Sequence, residues 1–217
     1  LTAEENKQRV RSTATPALLQ HWNEGVALVL FEGHGGATFW GRQHVLEVND
    51  VVGLQQPILP VCLETTCFTG QFDKPDLPNG QCFAEALLAA KGGAVATISP
   101  SRLGGLQFYH EFLRHALGDE DRRLGVLFRA TRERYRSHGV YWSQADTYNL
   151  LGDPALTLRL AAQVRPVVSA QAPADAPPPA ATNPPNRPWL GGPDADGNDL
   201  DDRLEQRIAS LEKAGQG

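Results

Sequence analysis

Two side chains in this sequence are of the types that together cleave acyl bonds. His34 sits among glycines, in Gly33-His34-Gly35-Gly36, and Cys67 sits in Thr65-Thr66-Cys67-Phe68-Thr69-Gly70. A free thiol is mostly protonated near neutral pH, and an imidazole within reach raises the reactive fraction. Glycines beside the histidine let the backbone approach a substrate carbonyl. The amide of Gly35 could then donate to a developing oxyanion, and the amide of Cys67 is a second such donor. The plainer alternative is a structural histidine and a cysteine acting as a small buried hydrophobe. Cys62 and Cys82 lie in an apolar run and an amphipathic segment, and both read as packing residues. Glu64 either points toward the neighbourhood of Cys67 or forms a surface ion pair. His21, His44, His110, His115 and His138 have no strand-end context and read as surface or helix-face residues.

The elements that must position the pair are legible as hydrophobic runs. Val26–Phe31 precedes His34 and Pro57–Thr66 precedes Cys67. Both are apolar on both faces, as buried parallel strands are. Ala94–Ser99 reads as a third strand and Leu156–Leu160 as a last one. Between them fall helical patterns. One opens with Thr15 as N-cap and Pro16 at the first helical position and ends at Gly25. A short one from Val51 is capped by Asn49-Asp50, and a third runs from Asn79 or Gly80 to Lys91. Two more cover Leu106–Leu117 and Asp121–Arg136. Such alternation implies an α/β fold with a mostly parallel sheet flanked by helices. Active residues in such sheets gather beyond the carboxyl ends of the strands, where His34 and Cys67 both fall. Val26–Phe31 is so apolar that a further strand is expected beside it, from sequence outside this chain or from another chain.

Composition narrows the function. The formal charge of −5 gives no electrostatic reason to expect nucleic acid. Arg129, Arg132, Arg134 and Arg136, beside Glu133, read as a solvated helix face. No run approaches the roughly 18 apolar residues of a membrane span, and Leu1–Arg11 is too polar for a targeting segment. Three cysteines make neither a disulfide framework nor a zinc site. Nine of the sixteen prolines fall between Pro166 and Pro193, which divides the chain into a core over 1–160, a proline-rich linker over 161–193 and an acidic segment with a short helix over 194–217. In that last part Asp194, Asp196, Asn198, Leu200 (by its carbonyl), Asp202 and Glu205 follow the ligand order of a calcium loop, which would make calcium a structural ion. Against this, Asp199 stands where the loop's turn wants glycine, so an acidic lead-in to the helix is the competing reading.

Four blocks, in order, resemble peptidase family C25, the gingipain-like cysteine peptidases of caspase-like fold (clan CD). Leu30-Phe31-Glu32-Gly33-His34-Gly35-Gly36, followed by Trp40, is similar to the family's histidine block. Thr65 to Asp73 is similar to its nucleophile block. Cys82 to Leu88, followed by Gly93-Ala94-Val95-Ala96, resembles the next helix–strand unit, and Leu150 to Leu156 resembles the closing block. The resemblance covers about Thr13 to Leu160. It implies a cysteine endopeptidase that hydrolyses peptide bonds of protein substrates through a Cys67 thioester, with His34 as general base. The amides of Gly35 and Cys67 would form the oxyanion hole, and no cofactor is required. Glu85 and Asp153 would have capping and loop-holding roles. The resemblance also implies a secreted or cell-surface protein. Family members carry strands before the histidine block, with an acidic residue that orients the histidine. The expected fold is therefore a caspase-like sheet lacking its amino-terminal strands, with that segment or a propeptide as a partner. A non-catalytic caspase-like peptide-binding or scaffold module is the runner-up. A cytoplasmic phosphate or acyl hydrolase ranks last, because no phosphate loop or metal cluster is evident.

Overall fold

The computed structural model describes residues 2–160, apart from 78–79, 106, 119–120 and 138–141. In chain order its elements are α1 (Ala3–Asn23), β1 (Leu28–Glu32), β2 (Gly35–Gly36), β3 (Phe39–Trp40), β4 (Leu46–Glu47), α2 (Val48–Val51), β5 (Val61–Thr65), α3 (Phe83–Ala89), β6 (Ala96–Pro100), α4 (Phe108–Leu117), α5 (Leu124–Ser137) and β7 (Tyr148–Leu151). A 3-10 turn, Trp142–Thr147, leads into β7.

The runs without alternation became the inner strands. All five residues of β5 and all five of β6 are buried. The main sheet has the order β1-β5-β6-β7, parallel from β1 to β6, with β7 antiparallel to β6. Alternate side chains sort onto two faces. Leu28, Leu30, Val61, Leu63, Ala96 and Ile98 pack with Phe108, Phe112, Leu124 and Leu127 from α4 and α5. Val29, Phe31 and Cys62 pack on the other face with Trp22, Trp40, Phe83 and Leu87. Helices therefore cover both faces, as an apolar parallel sheet demands. β1 stands at the edge of this sheet among the described residues.

Four features depart most from expectation. α1 begins thirteen residues earlier than Thr15, because Thr2 and Glu5 form a capping box there: Thr2 Oγ1 accepts from the Glu5 N–H at 3.1 Å and the Glu5 carboxylate accepts from the Thr2 N–H at 2.6 Å. Pro16 consequently lies inside the helix, and Thr15 is a buried anchor whose hydroxyl donates to the Val45 carbonyl at 2.6 Å. α2 is capped from Glu47, with Asp50 as its third residue. The last strand is Tyr148–Leu151, not Leu156–Leu160. The latter segment makes only a bridge between Thr157 and Arg123, and Leu158 packs into the α4–α5 core. Finally, the residues after His34 form a small second sheet, β2-β3-β4. The linker over 161–193, the 194–217 segment with its calcium-loop residues, and His138 lie outside the described residues.

Candidate active site

β1 and β5 are neighbours and parallel, and their last paired residues are Glu32 and Thr65. The Gly33 N–H donates to the Thr65 carbonyl at 3.1 Å, so the ladder runs one step further. His34 and Cys67 each follow that last pair by two residues, so they leave adjacent strand ends side by side. Gly33 makes the exit possible: its φ of 152° is a conformation that side chains resist. A Cβ on Gly35 would collide with Thr66 Oγ1, so the histidine loop can seat directly on the residue before Cys67. The His34 carbonyl accepts from the Gly41 N–H at 2.7 Å, closing the hairpin of β2 and β3.

Cys67 is half-buried and unbridged. Burial pushes its thiol above the ordinary value of 9.0, and the Gly104 amide opposes that shift. The chain turns at once: Phe68 has φ 64°, its N–H donates to the Arg102 carbonyl at 2.9 Å, and the Gly70 N–H donates to the Pro100 carbonyl at 2.9 Å. These bonds tie the turn after Cys67 to a strap of residues after β6, Ser101 to Gly105. The strap is held from its other side by the start of β7. Ser101 N–H donates to the Thr147 carbonyl at 2.8 Å, and Tyr148 O–H donates to the Gly105 carbonyl at 2.9 Å. Gly104 lies so close to the Thr66 carbonyl that a Cβ would overlap it. On the rim, Arg102 and Asp73 make a two-pronged ion pair at 3.0 and 2.6 Å, which holds the Asp73 carboxyl below its ordinary range. Sequence reading did not single out the strap; its Gly104-Gly105 dipeptide after a buried strand was the available signal.

Glu64 is neither at the surface nor in an ion pair with a surface cation. It is fully buried: Oε2 accepts from the Trp40 indole N–H at 2.8 Å and Oε1 from the Ser99 hydroxyl at 2.7 Å. Burial raises its carboxyl above the ordinary 4.5, against the pull of these donors. The reason is register: Glu64 shares the face of Cys62, which packs toward Trp40 and Phe83.

α3 joins the two loops. Its Phe83 N–H donates to the carbonyl of Ala37 in the histidine hairpin at 2.7 Å and its Ala84 N–H to that of Thr69 in the Cys67 turn at 3.0 Å. The Glu85 carboxylate accepts from the Cys82 N–H at 2.8 Å, a capping role. Asp153 likewise holds its loop, accepting from the Ala155 N–H at 2.8 Å. Cys62 and Cys82 are buried packing residues, and burial raises both thiols. His21 is exposed beside Glu24, whereas His44 stacks on Phe39 at 4.0 Å and pairs with Glu47. Arg129 pairs with Glu133 on the surface, but Arg132 and Arg136 pair with Asp146, and Arg134 reaches the buried Glu111.

The model of peptidase family C25 matches residues 2–159. The chain belongs to peptidase family C25. Two gingipains of Porphyromonas gingivalis are similar to this C25 chain. Gingipain R2 of strain W83 is 29% identical over 174 residues, covering 71% of this chain and 23% of that protein. A gingipain R1 is also 29% identical over 174 residues, covering 71% of this chain and 17% of its own length. The chain thus spans less than a quarter of these curated relatives. Among solved structures, the complex of the RgpB pro- and mature domains superposes with a TM-score of 0.58 at 26% identity, over 67% of this chain and 37% of that one. The Arg specific cysteine proteinase gingipain R superposes with a TM-score of 0.55 at 27% identity, over 67% and 36%. The C25 fold is therefore the caspase-like α/β sheet of the gingipains. No helix among the described residues is long and apolar enough to cross a membrane, and no group of three potential metal-ligating side chains occurs among them.

Proposed function

We propose that this C25 chain carries the nucleophile and base of a cysteine endopeptidase acting on protein substrates. The observation that carries the reading is the exit of His34 and Cys67 from adjacent parallel strand ends, two residues beyond the Glu32–Thr65 pair. Burial raises the half-buried thiol, so a base is needed to take its proton as it attacks. In this scheme Cys67 Sγ bonds to the scissile carbonyl carbon while His34 takes the thiol proton. The amides of Gly35 and Cys67 donate to the oxyanion; losing one such donor typically costs about 3 kcal/mol in barrier. The carbon–nitrogen bond then breaks, His34 protonates the leaving amine, and a thioester remains. Water, deprotonated by His34, hydrolyses it and restores the thiol.

The same reading assigns the peptidase core to 1–160, the linker to 161–193 and the acidic segment to 194–217. It also assigns a place outside the cytoplasm. The neighbouring complex of pro- and mature domains supports a propeptide as a further partner.

The test is labelling by peptidyl acyloxymethyl ketones with varied P1 side chains, followed by intact mass. One adduct on the wild type is expected, absent from Cys67→Ala and slowed at least about a hundredfold in His34→Ala. A folded wild type that no probe labels, alone or mixed with a propeptide-containing relative's amino-terminal segment, would sink the reading.

A further inference from the structure

Glu64 lies three residues before Cys67 and is buried with no cation among its described partners. Desolvating a carboxyl is costly, and folding alone gives no reason to keep one here. What it grips is informative. Its Oε2 takes the indole N–H of Trp40 at 2.8 Å. Trp40 is paired with Gly35 across the β2–β3 hairpin, and the next residue, Gly41, bonds to the His34 carbonyl at 2.7 Å. The indole is wedged between apolar rings, stacked on Phe31 at 4.6 Å and tilted against Phe83 at 4.9 Å. Such contacts let a flat ring slide; a fixed acceptor for its N–H sets its depth. The other oxygen, on Ser99, leads to β6 and away from the hairpin.

We infer that Glu64 is a positioning residue: by holding Trp40 it fixes the hairpin that carries His34 against the strand that carries Cys67. The inference rests on the reading of His34 and Cys67 as base and nucleophile. It assigns Trp40 the role of a lever, and it sets Ser99 apart as a bond of similar kind to the same carboxyl with no path to the histidine.

The experiment follows the rate of Cys67 alkylation by iodoacetamide against pH in the full chain, by peptide mass. The variants are His34→Ala, Trp40→Phe, Glu64→Leu, Glu64→Gln and Ser99→Ala, each first checked for folding by circular dichroism. His34→Ala reports the coupling of the thiol to its partner. Trp40→Phe and Glu64→Leu are expected to move the profile the same way, with the apparent thiol pKa displaced by about one unit and the rate near neutral pH changed about tenfold. Glu64→Gln keeps an oxygen for Trp40 and an amide for Ser99, so it should restore the wild-type profile. Ser99→Ala should keep that profile while lowering the melting temperature as Trp40→Phe does. If Trp40→Phe does not fold, benzothienylalanine at position 40 removes only the N–H. A wild-type profile in the Trp40 and Glu64→Leu variants, with His34→Ala still displaced, overturns the inference alone. A profile that His34→Ala leaves unmoved overturns the catalytic reading and this inference with it.

Discussion

The two faces of the main sheet bury different things. Against α4 and α5 lies an almost wholly apolar cluster of Phe108, Phe112, Leu124, Leu127, Leu63 and Ile98. Against α1 and α3 the core also holds Trp40 and, beside it, the Glu64 carboxyl with Ser99. Apart from Tyr148, whose hydroxyl donates to the Gly105 carbonyl, the first face needs volume and hydrophobicity, which many side chains supply. The second carries directional bonds that lead to the histidine hairpin, and directional bonds specify one arrangement. Stability and geometry of the pair are thus largely separable between the faces.

The largest effect should come from the apolar face. Phe112 is fully buried on α4, and Phe112→Ala should cost about 3–5 kcal/mol of folding free energy. Read by denaturant titration, that loss should leave the Cys67 alkylation profile of the folded fraction unchanged. A displaced profile in this variant would mean that the faces are not separable.

On the other face the signature is pH dependence. Burial raises the Glu64 carboxyl in the folded state above its ordinary 4.5. A raised acid binds its proton more readily folded than unfolded. Its contribution to stability is therefore full below about pH 4.5 and is lost as pH rises through the folded value. Glutamine at this position does not titrate. The melting temperature of Glu64→Gln relative to wild type should accordingly climb as pH is raised from about 4.5 through the raised folded-state value. A difference that stays flat over that range would show the carboxyl to be as comfortable ionised in the fold as in the unfolded chain.

Legibility in the sequence followed the same division. The parallel strands β1, β5 and β6 were readable because unbroken apolar runs have few alternatives, and His34 and Cys67 stood out because they end two of those runs. The capping and loop-holding roles that the family resemblance implied for Glu85 and Asp153 are local ones, each carboxylate accepting from a backbone amide two or three residues away. What needed the structure was set by long-range pairing. Glu64 could not be placed without knowing which face Cys62 shares with Trp40, and the strap of Ser101 to Gly105 depends on bonds to Thr147 and Tyr148 more than forty residues away. β7 was misplaced because Tyr148–Leu151 is short and half-buried, while Leu156–Leu160 has the better alternation yet finds only one bridge. The start of α1 was misplaced because Pro16 after Thr15 imitates a helix start, and the true cap at Thr2 precedes a polar stretch.

The smallest expected effect tests whether the join between the faces and the loops is mechanical or merely adhesive. α3 gives its first two amides to Ala37 of the histidine hairpin and Thr69 of the Cys67 turn, and the capping box of Cys82 and Glu85 holds the helix start in that position. Glu85→Ala removes one half of the box, at a cost of about 1 kcal/mol. If α3 is a rigid link, that small loss should fall on both loops together, raising hydrogen exchange at Phe83 and Ala84 in step with it while the amides of α4 keep their protection. Exchange that rises equally across α4 would show that the cap contributes only to global stability, and the histidine hairpin and the Cys67 turn would then be joined by Glu64 with Trp40 and by the Gly33–Thr65 bond instead.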